Sequence, residues 1–341
     1  MRSDLDKSKV KSNIYDHVGV IGGGSWGTAL ALVAAGTGRR VTVWARESRA
    51  VEAMKTRREN AAYLPGILLP ENVVPTSDLR EAAGADAVLL AVPAQHLRAV
   101  LDQAKARVKR HAPAVICAKG IERGTGKLMT EVLAECAPDA EPAILSGPSF
   151  ARDVARHLPT AVTVAARMEV ARRLQATLGN AQFRPYASDD LVGVALGGAA
   201  KNVYAIACGI VDGLGLGESA RAALLARGFA ELCRLGAALG ARTDTLMGLS
   251  GLGDLVLTAT SLTSRNFTFG LAIGSGRARA DIFAPGRPLA EGVESAPALV
   301  TRARRHGIEL PIAEAVSGVL DGSLMLEAAV SRLMMRPLKA E

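Results

Sequence analysis

A glycine-rich bend near the amino terminus constrains the fold of this chain more than any other feature of its sequence. Residues 22–30 read GGGSWGTAL and directly follow the apolar run Val18–Ile21. Gly22, Gly24 and Gly27 have the spacing G-x-G-x-x-G, which predicts a strand, a tight turn and a helix. Backbone N–H groups at the start of such a helix favour a phosphate. The bend therefore predicts a dinucleotide-binding site, although an ordinary glycine-rich turn can have the same spacing.

The composition is sufficient for a large buried core and argues against one class of function. Hydrophobic residues make up 49% of the 341 residues but aromatic residues only 4%, so packing must rest on Ala, Leu and Val. This length suggests one large or two medium domains. The net charge is +8, but no dense basic block alternates with aromatic residues, so nucleic-acid binding is not favoured. The surplus of arginine is typical of an enzyme for anionic ligands, or of solvated helix faces.

The cysteines, the amino-terminal residues and the apolar stretches do not indicate a metal site, a disulfide framework or a membrane span. The four cysteines have no C-x-x-C spacing and no nearby histidine; they are Cys117, Cys136, Cys208 and Cys233. Residues 1–16 are charged and polar, without the apolar core of a signal peptide, and we expect a loose tail. The apolar stretch Leu191–Leu216 is interrupted by Lys201, Asn202 and Asp212, which argues against membrane insertion. We expect a soluble, cytoplasmic protein without a metal ion.

The first half of the chain alternates short β-branched runs with helical patterns rich in Ala and Leu. Strands are predicted at His17–Gly22, Arg40–Ala45, Asp86–Val92, Ala114–Ala118, Ala143–Ser146, Thr160–Ala165 and Gln182–Ala187. Helical patterns between them include Ser25–Ala35, His96–Lys109, Leu128–Cys136 and Glu169–Leu178. The alternation predicts an α/β fold: a Rossmann-like, doubly wound domain with a mainly parallel sheet covered on both faces. Ligands are expected at the carboxyl ends of the strands, where the strand order reverses.

After about Ala187 no strand pattern is evident and helical patterns take over. The predicted helices are Asp189–Ile210, Glu218–Leu239, Asn266–Ile273, Ser295–Arg305, Pro311–Leu320 and Leu324–Met334. The segment Ser275–Pro288 contains Gly, Arg and Pro and is predicted to be an exposed loop. We therefore expect a dinucleotide-binding domain over residues 17–190 and an all-α substrate domain over residues 191–341.

Arg46 follows the second predicted strand, at a position where NAD-binding domains usually carry an acidic residue for the ribose hydroxyls. A guanidinium at this corner can bind a 2′-phosphate and stack on adenine. The position therefore indicates that NADP(H) is at least tolerated, so that the cofactor is NADP or NAD. An ordinary surface arginine is the alternative.

Three further candidate positions lie within three residues of the end of a predicted strand. Lys119 ends the strand Ala114–Ala118 and can offer positive charge to a substrate or cofactor oxygen, although a solvated lysine fits the same spacing. Gly147 and Ser149 follow the next strand; the glycine allows close backbone approach, and the serine can donate to a ligand or simply cap a helix.

Lys201 lies in an otherwise apolar helical pattern with small neighbours. A buried ammonium is costly and desolvation lowers its pKa, so proteins tolerate one mostly for chemistry. Asp254, in the sequence GLGDL, is a candidate partner that would orient Lys201. A structural lysine paired with a carboxylate is the alternative.

Ser264, Arg265 and Asn266 stand together at a predicted helix start. They combine a hydroxyl, a fork-shaped cation and an amide, which suits a phosphate group. The simpler interpretation is that the serine caps the helix and that Asp254 belongs to a turn.

Taken in their order, these motifs resemble those of one enzyme family. The sequences GGGSWGTALA, AKGI, SGPSFA, AAKNV, GLGDL and SRN follow one another between about His17 and about Leu333. The combination resembles the bacterial-type NAD(P)-dependent glycerol-3-phosphate dehydrogenases. The amino-terminal tail and Ser275–Pro288 lie outside the resemblance.

The resemblance implies a homodimeric enzyme that reversibly reduces dihydroxyacetone phosphate with NAD(P)H to sn-glycerol 3-phosphate, a phospholipid precursor. Lys201 would be the proton donor and acceptor. By matching position, the substrate would contact Lys119, Gly147, Ser149, Lys201, Asp254, Ser264, Arg265 and Asn266. The cofactor would contact the bend (Gly22, Gly24 and Gly27) and Ser25, Trp26, Arg46, Lys119, Ala151, Arg265 and Glu291. Around Glu291 the sequence reads LAEGVE, with the family's valine-rich lead-in altered.

Two other functions are weighed against this one. A dehydrogenase of the same two-domain plan that acts on a 3-hydroxy acid or on ketopantoate would bind a carboxylate, which Ser264, Arg265 and Asn266 would also suit. A catalytically silent NAD(P)-binding sensor would be expected to lack the interior lysine or the phosphate cluster, and this chain has both.

Overall fold

The computed structural model describes residues 14–284 and 290–337, and the chain divides into two compact units. The first unit comprises the described residues up to Ala118 together with Met129–Val194. The second comprises Lys119–Leu128 and the described residues from Ala195 onward. The short segment Lys119–Leu128 therefore belongs to the second unit, although the boundary predicted at residue 190 places it in the first domain.

The first unit is built on one eight-stranded sheet within the described residues, in the order β3-β2-β1-β4-β5-β6-β7-β8. The strands are β1 (His17–Ile21), β2 (Arg40–Trp44), β3 (Val73–Thr76), β4 (Ala87–Leu90), β5 (Pro113–Ile116), β6 (Glu141–Ser146), β7 (Thr160–Ala165) and β8 (Phe183–Ser188). All neighbours pair in parallel except β6 and β7, which are antiparallel. The predicted mainly parallel, doubly wound α/β fold is confirmed, and the strand order reverses between β1 and β4, which is where such sheets bind ligands.

Strand β3 is the strand that the sequence analysis missed. It is four residues long and contains Pro75, and a proline within a short apolar run argues against a strand. The proline is tolerated because β3 pairs only with β2 and lies at the edge of the sheet. The other seven predicted strands are confirmed, with ends that agree to within two residues.

Helices connect most of these strands. They are α1 (Ser25–Gly36), α2 (Ser48–Arg57), α3 (Leu79–Ala83), α4 (Leu97–Ala104), α5 (Met129–Cys136), α6 (Ala151–Ala155) and α7 (Met168–Leu178). Helices α2, α3 and α6 were not among the predicted ones. Helix α2 buries only Val51 and Met54, and α3 and α6 are five residues each, so none of them shows a clear helical period.

Residues 14–16 correct the prediction of a loose tail over residues 1–16. Tyr15 is buried, and its backbone N–H donates to Oγ1 of Thr177 at 3.0 Å. The guanidinium of Arg173 lies 3.9 Å from the centre of the Tyr15 ring and donates to the carbonyl of Ile14. These contacts join the residues before β1 to α7. The prediction missed them because a single aromatic ring can be buried directly after a polar run. Residues 1–13 lie outside the described part of the chain.

The second unit is helical. Its helices are α8 (Leu191–Gly213, whose first turn belongs to the first unit), α9 (Glu218–Ala238), α10 (Thr243–Met247), α11 (Asp254–Ala259), α12 (Arg265–Gly274), α13 (Arg279–Ile282), α14 (Glu291–Arg305), α15 (Pro311–Asp321) and α16 (Leu326–Met334). A π-helical turn, Leu249–Gly253, leads into α11. By length and composition α8 could cross a membrane, but its whole apolar window is buried inside the protein.

Most of the described residues of the segment Ser275–Pro288 are exposed, as predicted, but the segment is not simply a loop. It contains the short helix α13, and Ile282 within that helix is buried. The rings of Phe269 and Phe283 pack edge to face with their centres 5.3 Å apart. The apolar residues Ile282 and Phe283 were the signal in the sequence that this end of the segment contacts the rest of the protein. Residues 285–289 lie outside the described residues.

Helices α8 and α12 pack with their backbones in contact, because both carry glycine where they meet. A Cβ atom on Gly209 of α8 would clash with the carbonyl oxygen of Phe267, and one on Gly270 of α12 would clash with that of Ile206. Gly213 and Gly274 repeat the arrangement one turn further on. The close packing fixes the start of α12 against the middle of α8, where Lys201 and Asn202 lie.

We expect Gly270→Ala to destabilise the protein by about 1–3 kcal/mol, because the added methyl must push two helix backbones apart. Thermal unfolding followed by circular dichroism measures the effect. Gly36→Ala at the end of α1 is the matched control, since a Cβ atom there has no neighbour within 4 Å. Equal melting temperatures for Gly270→Ala and Gly36→Ala would contradict the packing argument.

Candidate active site

The glycine bend joins β1 to α1, and two glycines of its G-x-G-x-x-G spacing are required by close packing against backbone atoms. Gly22 has φ +124°, and a Cβ atom there would lie 2.7 Å from the carbonyl oxygen of Ala91. A Cβ atom on Gly27 would clash with the carbonyl oxygen of Gly22. At Gly24, by contrast, a Cβ atom would have no neighbour within 4 Å. The bend is therefore closed on its protein side and open at Gly24.

The open side of the bend fits the pyrophosphate of a dinucleotide. Gly24 precedes α1 and provides no side-chain cap, and the first turn of α1, which holds Ser25, Trp26 and Gly27, has no acidic residue. The partial positive charge of the helix start is therefore left for an anion. Since Gly24 adds no side chain, the backbone can approach a bound phosphate closely.

Arg46 follows β2 and is exposed, as an adenine-side contact requires. Its side chain is 79% exposed, and Nε lies 3.1 Å from Oε1 of Glu47, whose side chain is 68% exposed. An exposed ion pair of this kind contributes little, so the guanidinium can turn to another anion at small cost. Glu47 is an acidic neighbour that the sequence analysis did not weigh.

Gly147 and Ser149 lie just beyond β6 in the first unit. Gly147 has φ +153°, and a Cβ atom there would lie 2.8 Å from Cα of Val162 on β7. The hydroxyl of Ser149 donates to the carbonyl of Gly147 at 2.9 Å. Helix α6 then begins at Ala151, and the residue at its cap position is Phe150. Ser149 is therefore not the helix cap, which was the simpler interpretation of this position.

In the second unit, a buried carboxylate holds two lysine side chains. Nζ of Lys201 donates to Oδ1 of Asp254 at 2.6 Å, and Nζ of Lys119 donates to Oδ2 at 2.7 Å. The side chains of Lys201 and Asp254 are 8% and 1% exposed, and that of Lys119 is 14% exposed. Lys201 also donates to Oγ1 of Thr258 at 2.7 Å. The predicted pairing of Lys201 with Asp254 is present, and Lys119 shares the same carboxylate.

The pKa of Lys201 is lowered from 10.5 to about 8. Desolvation by burial is the largest cause, and the positive charge of Lys119 acts in the same direction. The carboxylates of Asp254 and Glu291 raise the pKa and partly offset the burial. An amine with this pKa is protonated at neutral pH yet releases its proton readily, which suits a group that donates and accepts protons.

A chain of amide hydrogen bonds links four segments of the second unit. Nδ2 of Asn202 donates to the carbonyl of Lys119 at 3.0 Å, and Nδ2 of Asn266 donates to Oδ1 of Asn202 at 2.9 Å. The N–H of Gly292 donates to Oδ1 of Asn266 at 2.9 Å. The chain brings Lys119, the middle of α8, the start of α12 and the start of α14 together. It also places Glu291, the first residue of α14, close enough to act on Lys201.

Ser264 and Arg265 mark the start of α12. Oγ of Ser264 accepts the N–H of Phe267 at 3.2 Å, so this serine caps the helix. Arg265 is exposed, and within residues 14–284 and 290–337 its guanidinium forms no hydrogen bond or ion pair. An open guanidinium beside a capped helix start is a suitable place for an anionic group.

Thr258 and Asn202 are the site residues that the sequence analysis did not assign. Thr258 lies four residues after Asp254, one turn along α11, so both face Lys201. That spacing was visible in the sequence. The role of Asn202, next to Lys201 in the sequence, depends on Lys119 and Asn266, and no local pattern indicates those partners.

The lysine–carboxylate cluster predicts how the pKa of Lys201 responds to its neighbours. Asp254→Asn should lower this pKa further below 8, because a stabilising charge is lost; Lys119→Met should raise it, because a repelling charge is lost. NMR titration of lysines labelled at Cε measures both shifts. Asp281→Asn, a change of the same kind at an exposed position on α13, is the control and should leave the signal unmoved. A rise in the pKa of Lys201 in Asp254→Asn would contradict the proposed effect of the Asp254 carboxylate.

Comparison with known proteins agrees with this arrangement. Residues 17–171 match the family described as NAD-dependent glycerol-3-phosphate dehydrogenase N-terminus, and residues 190–331 match the corresponding C-terminus. The protein of Parvibaculum lavamentivorans named glycerol-3-phosphate dehydrogenase [NAD(P)+] is 55% identical, over 96% of this chain and 98% of the relative. Its counterpart in Rhodospirillum rubrum is 54% identical, over 97% and 95%.

Solved structures show the same relationship. A crystal structure of glycerol-3-phosphate dehydrogenase from Coxiella burnetii has a TM-score of 0.89 and 38% identity, and the match covers 95% of this chain and 100% of that one. A ketopantoate reductase from Ralstonia eutropha has a TM-score of 0.59 at 15% identity, which is a likeness of fold alone. From the two family matches, the curated relatives and this structure, we conclude that the chain belongs to the NAD-dependent glycerol-3-phosphate dehydrogenase family.

Proposed function

We propose that this protein catalyses the reversible reduction of dihydroxyacetone phosphate to sn-glycerol 3-phosphate with NADH or NADPH, which supplies a precursor of glycerophospholipids. The observation that carries the proposal is the buried ammonium of Lys201, held by Asp254 and Thr258 in a member of this family. Reduction of a ketone needs a proton donor at the carbonyl oxygen, and a lysine with a pKa of about 8 is suited to that step.

The roles of the residues follow from charge development in the reaction. When bound, the reduced nicotinamide supplies the hydride that the ketone carbon accepts. Lys201 stabilises the negative charge that builds on the carbonyl oxygen and then protonates it. Asp254 holds Lys201 in place, and Lys119 leaves the cluster with a net positive charge, which favours an anionic transition state. In the reverse direction the neutral amine of Lys201 accepts the proton of the alcohol.

The phosphate group of the substrate fits the start of α12. We assign it to Arg265 and Ser264, with Asn266 orienting this corner through its contacts with Asn202 and Gly292. Holding the phosphate fixes the carbonyl at the other end of a three-carbon substrate, so binding is converted into proximity. Gly147 and Ser149 are proposed as further substrate contacts.

The dinucleotide is assigned to the glycine bend and its surroundings. Gly22, Gly24 and Gly27 form the bend, with Ser25 and Trp26 at the start of α1. The remaining proposed contacts of the cofactor are Arg46, Lys119, Ala151, Arg265 and Glu291. The exposed Arg46, at a corner where many NAD-binding domains place an acidic residue, supports use of NADPH as well as NADH.

We also propose that the protein is a homodimer in the cytoplasm. The first half of α9 exposes Ala222, Ala223 and Ala226, and Leu262 is 71% exposed. Apolar surface of this kind is typical of a face that another subunit covers. The cysteines are free thiols, which is usual in the cytoplasm. Sedimentation analysis at micromolar concentration tests the dimer.

Steady-state kinetics test the proposed reaction directly. Oxidation of NADPH and of NADH is followed with dihydroxyacetone phosphate and, separately, with ketopantoate. We expect turnover with dihydroxyacetone phosphate and none with ketopantoate. Turnover with ketopantoate only would favour the other dehydrogenase class, and cofactor binding without turnover on either substrate would favour a silent sensor.

Lys201→Met should lower the turnover number at least about 10³-fold while the protein stays folded, because the proton donor is lost. Lys105→Met, which removes an exposed lysine, is the control. In the unchanged enzyme, reduction should decline as the pH rises through about 8, where Lys201 loses its proton, and oxidation should increase over the same range. Near-normal turnover in folded Lys201→Met would refute the assignment.

Arg46→Ala should raise the KM for NADPH about tenfold and the KM for NADH much less, because only NADPH carries the 2′-phosphate. Arg57→Ala, at the far end of α2, removes the same charge away from this corner and is the control. Equal changes in both KM values for Arg46→Ala would exclude the 2′-phosphate role.

A further inference from the structure

Asn60 lies outside every motif that the sequence analysis singled out, yet its side chain reaches the glycine bend. It is 2% exposed and follows α2. Its Nδ2 donates to the carbonyl oxygen of Gly23 at 2.8 Å and to Oγ1 of Thr28 at 2.7 Å. One buried amide therefore contacts both the turn and the first part of α1.

The bond to Gly23 sets the direction of the next N–H group. In a trans peptide unit the C=O of one residue and the N–H of the following residue point to opposite sides. Asn60 holds the Gly23 carbonyl towards the protein interior, so the N–H of Gly24 points away from Asn60. Gly24 is also the open position of the bend, where a Cβ atom would meet no neighbour within 4 Å.

Asn60 is itself held rigidly. Its own carbonyl accepts the N–H groups of Tyr63 and Leu64, at 3.1 and 2.8 Å, and Leu64 is 4% exposed in the core of the first unit. A side chain whose backbone is fixed in this way can hold a flexible glycine turn in one conformation. Without it, the Gly23–Gly24 peptide could rotate and present a carbonyl oxygen to a phosphate.

We propose that Asn60 is a positioning residue for the dinucleotide: it orients the Gly23–Gly24 peptide so that an N–H, and not a carbonyl oxygen, faces the pyrophosphate. The inference rests on the proposed function, since it takes the bend as the cofactor site. Because NADH, NADPH and ADP-ribose share the pyrophosphate, Asn60 contributes to the binding of all three by the same factor. Asn60 acts through the bend and leaves the reacting carbonyl untouched.

Asn72 provides a matched control in the same unit. Its Nδ2 also donates two hydrogen bonds around α1, to the carbonyls of Ala35 and Arg39 at 3.0 and 2.9 Å. These acceptors lie at the far end of α1 from the glycine bend. Asn72→Ala therefore removes the same chemical groups as Asn60→Ala without changing the orientation of the bend.

Fluorescence titration of the full-length protein with NADH, NADPH and ADP-ribose tests the proposal. For Asn60→Ala we expect all three dissociation constants to rise about tenfold, and the KM for dihydroxyacetone phosphate at saturating NADPH to change less than about twofold. Asn60→Asp should bind more weakly still, since a carboxylate of the same shape repels both the Gly23 carbonyl and the pyrophosphate. Asn72→Ala should lower the melting temperature but leave the dissociation constants unchanged.

Three results would overturn the proposal. The first is unchanged dinucleotide affinity in Asn60→Ala, and the second is equal weakening by Asn60→Ala and Asn72→Ala, which would indicate a purely structural role. The third is failure of the unchanged protein to bind any of the three ligands, which would also overturn the cofactor site itself. If Asn60→Ala does not fold, Asn60→Ser keeps a small polar side chain whose hydroxyl ends short of the Gly23 carbonyl; a rise of about tenfold in all three dissociation constants supports the proposal, and no rise contradicts it.

Discussion

The candidate site depends on one interaction, the pairing of the buried Asp254 carboxylate with two lysine side chains. Two ammonium groups lie against the carboxylate, and the side chains of Lys201 and Asp254 are only 8% and 1% exposed. Removing one partner from a buried pair costs about 3–5 kcal/mol, so the cluster constrains every element that contributes to it. Those elements are the segment after β5, the middle of α8 and the start of α11. The same burial lowers the pKa of Lys201 to about 8, so the arrangement that is costly for stability also gives this ammonium the pKa that the proposed proton donor needs.

Close backbone approach is the second constraint, and it operates in both units. In the first, Gly22 and Gly27 let α1 pack on the end of β1, which leaves Gly24 open towards a ligand. In the second, Gly209 and Gly270 let α8 and α12 touch, which brings Asn266 within hydrogen-bond distance of Asn202. In each case the absence of a side chain lets two backbone segments approach more closely than a Cβ atom would allow.

Much of this architecture was predictable because local sequence patterns indicate its strands and the glycine bend. Seven of the eight strands show β-branched runs, and the bend has both a glycine spacing and the flanking strand and helix that give the spacing meaning. Strand β3 was missed because Pro75 is excluded from most strands but allowed at an edge. The end of the loose tail was predicted at residue 16, beyond the buried Tyr15. A single buried residue after a polar run produces no hydrophobic periodicity that a sequence could reveal. Thr258 follows Asp254 at helical spacing, a signal that was present and was not used.

The sequence by itself determined the fold class, the place of the glycine bend and the set of polar residues proposed for the reduction, since spacing and residue type are local properties. It also determined the family, through motifs in a fixed order. Only the tertiary structure decided which of those residues meet: that Lys119 shares the carboxylate of Asp254, that Asn202 bridges Lys119 and Asn266, and that Asn60 holds the bend. The physical reason is that these contacts join residues 37 to 135 positions apart, and their energies depend on burial and distance, which no local pattern specifies.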